Sequence, residues 1–80
     1  MNNEDIVLLK AEEEQFLMTE DVQIILYNCS QSYASKVLGD LWKKGLLKRR
    51  RIKKKFGGKK YKYWLSEKGE KLVKWLKEQE

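Results

Sequence analysis

The sequence predicts an α+β domain with a three-helix core, a two-stranded basic hairpin and a C-terminal helix. Two changes of pattern carry this prediction. Apolar residues recur at helical spacing through residues 4–44, and the pattern then alternates through residues 46–65 around a Gly-Gly pair. A second helical stripe follows over residues 66–78. With 80 residues and 41% apolar composition, the chain can build one small core, so we expect a single domain over residues 1–80.

The first two helices are short and begin with acidic residues. The first is expected over residues 4–14, with Asp and Glu in its first turn, where they suit the positive end of the helix dipole. Residues 16–18 form an apolar connector that can supply one or two strand residues. Thr19 is the expected N-cap of the second helix, which should end near Tyr27.

The third helix has the clearest amphipathic pattern. Ser30 is expected to cap a helix over residues 31–44, and Gly45 stands where a left-handed C-terminal cap belongs. A tight turn at Asn28 should join it to the second helix, so that the pair spans about residues 19–44. The buried stripe of this helix falls at i, i+3, i+4 and i+7: Ala34, Val37, Leu38 and Leu41.

The hairpin over residues 46–65 is predicted to turn at Gly57-Gly58, because glycine accepts the positive φ angles of a two-residue turn. With that turn, the numbers of facing residues add up to 115. Ile52 would then face Tyr63 on the core side, where the stem of Arg50 could also pack.

The other face of that hairpin would carry most of the positive charge. There Arg51 would lie opposite Trp64 in a cation-π pair. Like charges directly opposed cost about 0.2–1 kcal/mol a pair, so two such pairs favour an external anion as their partner. The opposed pairs in this register are Lys53 with Lys62 and Lys55 with Lys60.

The last helix is expected over residues 66–78 with Ser66 as its cap. Its apolar stripe is wide for one small domain. One side can pack on the core while Trp75 and its neighbours meet another chain; a role confined to the core is the alternative.

Positive charge is concentrated in the middle of the chain. The net charge of +6 divides into −6 over residues 1–35, +12 over residues 36–62 and 0 over residues 63–80. A heat-adapted proteome could also produce many surface charges, but that explanation predicts interspersed signs. The segregation is typical of a protein that binds a polyanion.

The composition argues against an enzyme and against a metal or cofactor site. Histidine is absent and Cys29 is the single cysteine, so the usual zinc ligand sets and the Ser/His and Cys/His dyads are missing. Cys29 is expected to be a small buried hydrophobe, with a redox role as the alternative. We expect no membrane span, and the acidic start of the chain does not resemble a signal peptide, so we place the protein in the cytoplasm.

This order of elements resembles a winged helix-turn-helix domain, over about residues 16–70. Four segments are similar to the recognition helix and wing exit of MarR-type and PadR-type transcriptional regulators: TEDV at 19–22, SQSYASKVL at 30–38, LWKKGLL at 41–47 and WLSEKG at 64–69. Two features depart from that pattern. The interval from Val22 to Ser30 is one position longer than usual, and the long terminal dimerisation helices of MarR proteins are missing.

The resemblance implies sequence-specific binding of double-stranded DNA by a small transcriptional regulator. The recognition helix, residues 31–44, would lie in the major groove, where side chains can distinguish all four base pairs. The implied base-reading residues are Gln31, Ser32, Tyr33, Ser35 and Lys36.

The wing, residues 47–62, would lie on phosphates or in the adjacent minor groove, where it supplies affinity without reading sequence. The implied backbone contacts are Lys43, Arg49, Arg51, Lys53, Lys54, Lys55, Lys59, Lys60 and Lys62. A homodimer would form through the first helix, the last helix or both, with Leu72, Trp75 and Leu76 as candidate contacts.

Two other classes of winged helix stay open at this point. A ribosome-associated RNA-binding module would use the same basic wing. A protein-interaction winged helix is disfavoured by the +12 segment, because such a module needs no continuous cationic face.

Overall fold

The computed structural model describes residues 2–53 and 59–79. Three helices come first, then an antiparallel hairpin, then a last helix: α1 (Asn3–Glu14), α2 (Thr19–Ile25), α3 (Gln31–Lys43), β1 (Leu47–Lys53), β2 (Lys59–Leu65) and α4 (Glu67–Glu78). This is the predicted α+β order. The predicted turn at Gly57-Gly58 lies outside the described residues.

The core is built from apolar residues of all four helices and both strands. The predicted stripe of α3 is confirmed, since all four of its residues are buried. The other main contributions are Val7, Leu8 and Ala11 of α1, Val22 of α2, Leu47 and Tyr63 of the hairpin, and Val73 of α4. In the described part of the chain, no helix is both long and apolar enough to cross a bilayer.

The turn between α2 and α3 contains two consecutive left-handed residues. Tyr27 and Asn28 have φ angles of 59° and 62°, so α2 stops at Ile25 and not near Tyr27 as predicted. The backbone N–H of Asn28 donates to the carbonyl of Gln23 at 2.7 Å, and the Gln23 side chain donates to the carbonyl of Cys29 at 3.2 Å. These bonds close the lengthened turn, and Cys29 lies half-buried against the core.

The predicted caps of α3 are present. Ser30 Oγ accepts a hydrogen bond from the Tyr33 backbone N–H at 3.1 Å, and Gly45 has a φ angle of 77°. The prediction that Thr19 caps α2 is wrong, because Thr19 is already helical. The cap is Met18, whose backbone N–H donates to the Asp21 carboxylate at 2.8 Å.

The connector before α2 forms an isolated β-bridge with the hairpin, in agreement with the one or two strand residues predicted for residues 16–18. Leu17 and Tyr63 exchange backbone hydrogen bonds of 2.8 and 2.9 Å in an antiparallel bridge. Both side chains are buried. The base of the hairpin is therefore joined to the segment between α1 and α2.

The predicted register of the hairpin is wrong by three positions. Leu47 faces Leu65, so the numbers of facing residues add up to 112. An odd shift moves one strand's side chains to the opposite face. Arg50 consequently faces Lys62 away from the core, and Ile52 faces Lys60 instead of Tyr63. The observed register wins because it buries Leu47 and Tyr63 on the same face.

Ser66 joins the base of α4 to the end of α3. Its hydroxyl donates to the Gly45 carbonyl at 2.6 Å and accepts from the Gly69 N–H at 3.0 Å, and only 8% of the residue is exposed.

Ser66→Ala should therefore lower the free energy of unfolding by about 1–3 kcal/mol, because it leaves buried backbone groups without partners. Urea unfolding measures this loss. Ser32→Ala, at an exposed position, should stay within about 0.5 kcal/mol of the parent, and equal losses for both variants would contradict the assignment.

Candidate nucleic-acid interface

The face of α3 opposite its buried stripe is polar and exposed. The buried stripe packs against the core, so the helical period leaves the other side chains in solvent. The exposed members predicted to contact DNA are Gln31, Ser32, Tyr33, Ser35, Lys36 and Lys43. Each of these six residues stays exposed when the rest of the described chain is packed around it.

Tyr33 lies at the margin of this face, beside the start of α1. Its hydroxyl accepts a hydrogen bond from the Asn3 side-chain amide at 2.9 Å, and 40% of the residue is exposed. Lys36 and Asp40 line the same groove between α1 and α3. The structure therefore places Tyr33 against the first turn of α1. The sequence did not indicate this contact between α1 and α3.

The two adjacent lysines at the end of α3 have different surroundings. Lys44 Nζ lies 2.7 Å from both carboxylate oxygens of Glu4. The hydrogen bond and charge of Glu4 raise the pKa of Lys44, which stays protonated throughout the neutral range. Lys44 thus links α3 to α1, whereas Lys43 is exposed on the α3 face.

The observed register distributes cationic residues over both faces of the wing, so the prediction of one cationic face is wrong. Facing residues share a side of the sheet. Arg49 and Arg51 therefore lie on the same face as Tyr61 and the buried Tyr63. The cations on the other face are Lys48, Arg50, Lys60 and Lys62, together with Trp64.

The guanidinium of Arg49 lies over two aromatic rings. Its guanidinium carbon lies 3.5 Å from the ring centroid of Trp42 on α3 and 4.3 Å from that of Tyr61 on β2. The predicted cation-π pair between Arg51 and Trp64 is wrong, because the observed register puts these residues on opposite faces. The sequence did contain a signal for the correct register: it is the pairing that puts the apolar residues Leu47 and Tyr63 on the same face of the hairpin. That register brings Arg49 and Tyr61 together.

Two of the predicted phosphate-binding lysines have partners within the chain. Lys60 Nζ lies 2.9 Å from the Glu20 carboxylate at the start of α2. Lys62 Nζ lies 4.0 Å from the ring centroid of Phe16. These contacts connect the outer face of the wing to the segment that precedes α2 and to its first turn.

The remaining wing residues fall into two groups. Arg50 and Arg51 are exposed. Lys54 and Lys55 lie outside the described residues, and the side chains of Lys53 and Lys59 are likewise not described, so their contacts with DNA stay predictions.

The candidate dimer residues of α4 differ in accessibility. Leu76 is buried, and Leu72 is partly buried against the core. Trp75 is 55% exposed. An ion pair between Lys77 and Glu12 also joins α4 to α1.

No protein-family model and no curated protein matches the chain. Its fold does match the crystal structure of Bacillus subtilis PadR in complex with operator DNA, with a TM-score of 0.65 and 20% sequence identity. The match covers 88% of this chain and 47% of that chain, so the present chain spans about half the length of the PadR protein. The three helices, hairpin wing and final helix described above are thus the winged-helix fold found in PadR.

Proposed function

We propose that this protein binds double-stranded DNA sequence-specifically and regulates transcription. The observation that carries the proposal is the exposed polar face of α3 beside a cationic wing. In helix-turn-helix proteins the second helix of the motif, which is α3 in this chain, enters the major groove. A PadR protein of the same fold was solved in complex with operator DNA, which supports DNA as the ligand.

The proposed base-reading set is the exposed face of α3. Lys36 can donate to guanine and Gln31 can pair bidentately with adenine, while Ser32 and Ser35 can serve more than one base. Tyr33 belongs at the edge of the set, because its hydroxyl is bonded to Asn3.

The proposed phosphate contacts come from the cations that remain accessible. Lys43, Arg50 and Arg51 are exposed in the structure. The proposed set is completed by the lysines that flank Phe56-Gly57-Gly58 in the sequence: Lys53, Lys54, Lys55 and Lys59. Arg50 lies directly opposite Lys62, and a DNA phosphate would offset the repulsion of these like charges.

The proposed regulator acts as a cytoplasmic homodimer. Two recognition helices about 34 Å apart would meet two half-sites one helical turn apart. The exposed indole of Trp75 is the most accessible of the three candidate α4 contacts with a second copy, since Leu72 is partly buried and Leu76 is buried.

Lys36→Ala should weaken binding to the preferred site about tenfold and leave binding to random duplex nearly unchanged, because a base contact contributes to discrimination. Lys55→Ala is the control and should weaken both duplexes alike, as expected for a phosphate contact. Fluorescence anisotropy with both duplexes measures the two ratios. Equal losses on both duplexes for Lys36→Ala would exclude the base-reading role.

The proposal is tested first by selection from a random duplex library at about 0.15 M salt, near physiological ionic strength. We expect an enriched sequence with two half-sites about 10 base pairs apart. Retention without enrichment would contradict sequence-specific binding. Absence of retention, or preference for a folded RNA in direct competition, would contradict the assignment to DNA.

A further inference from the structure

We infer that Arg49 is a positioning residue that holds the wing at a set angle to the recognition helix, and that it is not a phosphate contact. This inference rests on the proposed DNA-binding function, since it concerns how the two parts of that interface are aligned. It changes the role that the family resemblance implies for Arg49.

Arg49 connects three elements through one side chain. It belongs to β1, and its guanidinium contacts the rings of Trp42 on α3 and Tyr61 on β2. It is half-buried, whereas its neighbours Arg50 and Arg51 are exposed. An arginine offered to phosphate should be exposed as its neighbours are, so the burial of Arg49 indicates an internal contact.

The chemistry of guanidinium suits this position. The group is planar and stacks on aromatic rings through its faces, while an ammonium group is a compact point charge that cannot stack. The guanidinium of Arg49 lies within cation-π distance of two rings, so this side chain has two aromatic partners inside the protein. Lysine would keep the charge here but lose the stacking.

Contacts on both faces of the wing determine its angle. The Arg49 stack joins one face to α3, and the ion pair between Lys60 and Glu20 joins the other face to α2. A preferred DNA site requires the helix and the wing to be engaged together, so their relative position determines how well the second contact forms after the first. Random duplex imposes no such sequence register, because its binding is carried by phosphates.

The test compares Arg49→Lys and Arg49→Gln with the same changes at Arg51, an exposed arginine on the same strand and the same face. We expect Arg49→Lys to lose about tenfold in affinity for the selected site while its affinity for random duplex stays within about twofold. Arg51→Lys and Arg51→Gln should each change the affinity for the selected site and for random duplex by the same factor, as expected of a phosphate contact. Wild-type affinity for the selected site in Arg49→Lys would overturn the inference.

A second measurement does not depend on DNA binding. In the free protein, the side-chain protons of Arg49 should show upfield NMR shifts from the two rings, and Trp42→Leu should remove part of that shift while the unfolding midpoint is recorded alongside. Unshifted Arg49 resonances in the folded wild type would overturn the stack. If the wild type binds no DNA, the proposed function fails, and these shifts still decide whether Arg49 is stacked.

Discussion

Replacing Gly69 with alanine is expected to destabilise the domain by about 3 kcal/mol or more, because the new methyl group has no space. A Cβ at Gly69 would lie closer than 3.0 Å to the backbone oxygen of Leu46 and 3.2 Å from Cδ2 of Leu65. The first obstacle is backbone, which already accepts a hydrogen bond from the Ser66 N–H at 3.1 Å and cannot move without breaking it. Urea unfolding followed by circular dichroism measures the loss.

Gly39 provides the matched control for this substitution. It is also a helical glycine, but a Cβ there would meet nothing within 4 Å. Gly39→Ala should leave stability unchanged or raise it by up to about 1 kcal/mol, because alanine favours helix. Similar destabilisation by both substitutions would show that the close approach of α4 to Leu46 is not the reason for glycine at position 69.

Affinity for DNA is expected to fall about 500-fold between 50 and 200 mM salt. If the protein neutralises about five phosphates, log K falls with log salt at a slope of about −4 to −5. Arg51→Gln should make the slope shallower by about 0.9, since it removes one phosphate contact. Titrations by fluorescence anisotropy at four salt concentrations give the slopes.

Lys74 is the control for the salt series, because it is an exposed cation of α4 outside the proposed interface. Lys74→Gln should leave the slope unchanged. A wild-type slope shallower than about −2 would mean that fewer than three phosphates are neutralised, which contradicts the proposed role of the wing.

The helices and the caps of α3 and α4 could be predicted because their signals are local. Ser30 and Ser66 each accept a hydrogen bond from the third residue that follows, and Gly45 adopts a left-handed conformation, as its position after α3 indicates. The stripe of α3 determines both the buried face and the exposed one. The candidate recognition surface could therefore be located from residues 31–44 alone.

The hairpin register could not be predicted from its turn signal. Gly57-Gly58 suggested a two-residue turn, while the apolar residues of the strands favoured a different pairing. Burial of Leu47 and Tyr63, with the backbone bridge to Leu17, determined the outcome. Because the error was an odd number of positions, it also misplaced the cations of the wing.

The contacts that the predicted site residues make within the chain could not be predicted from the sequence either. Lys60 contacts Glu20, Lys62 contacts Phe16, Tyr33 contacts Asn3 and Arg49 contacts Trp42. Each pair brings together two different elements or connecting segments, so only the packed fold reveals it. The general position of the interface follows from charge and periodicity, whereas the role of an individual cation follows from tertiary contacts.

The backbone bridge between Leu17 and Tyr63 has a consequence for how the domain folds. An isolated two-stranded hairpin is at best marginally stable in water. Leu17 precedes α2 and α3 in the sequence, whereas Tyr63 lies in β2. The bridge therefore forms only after the long loop that contains α2 and α3 has closed, at a cost in chain entropy. The wing and the helix-turn-helix should therefore form and melt in one cooperative transition, without a state in which the helices are assembled and the hairpin is unpaired.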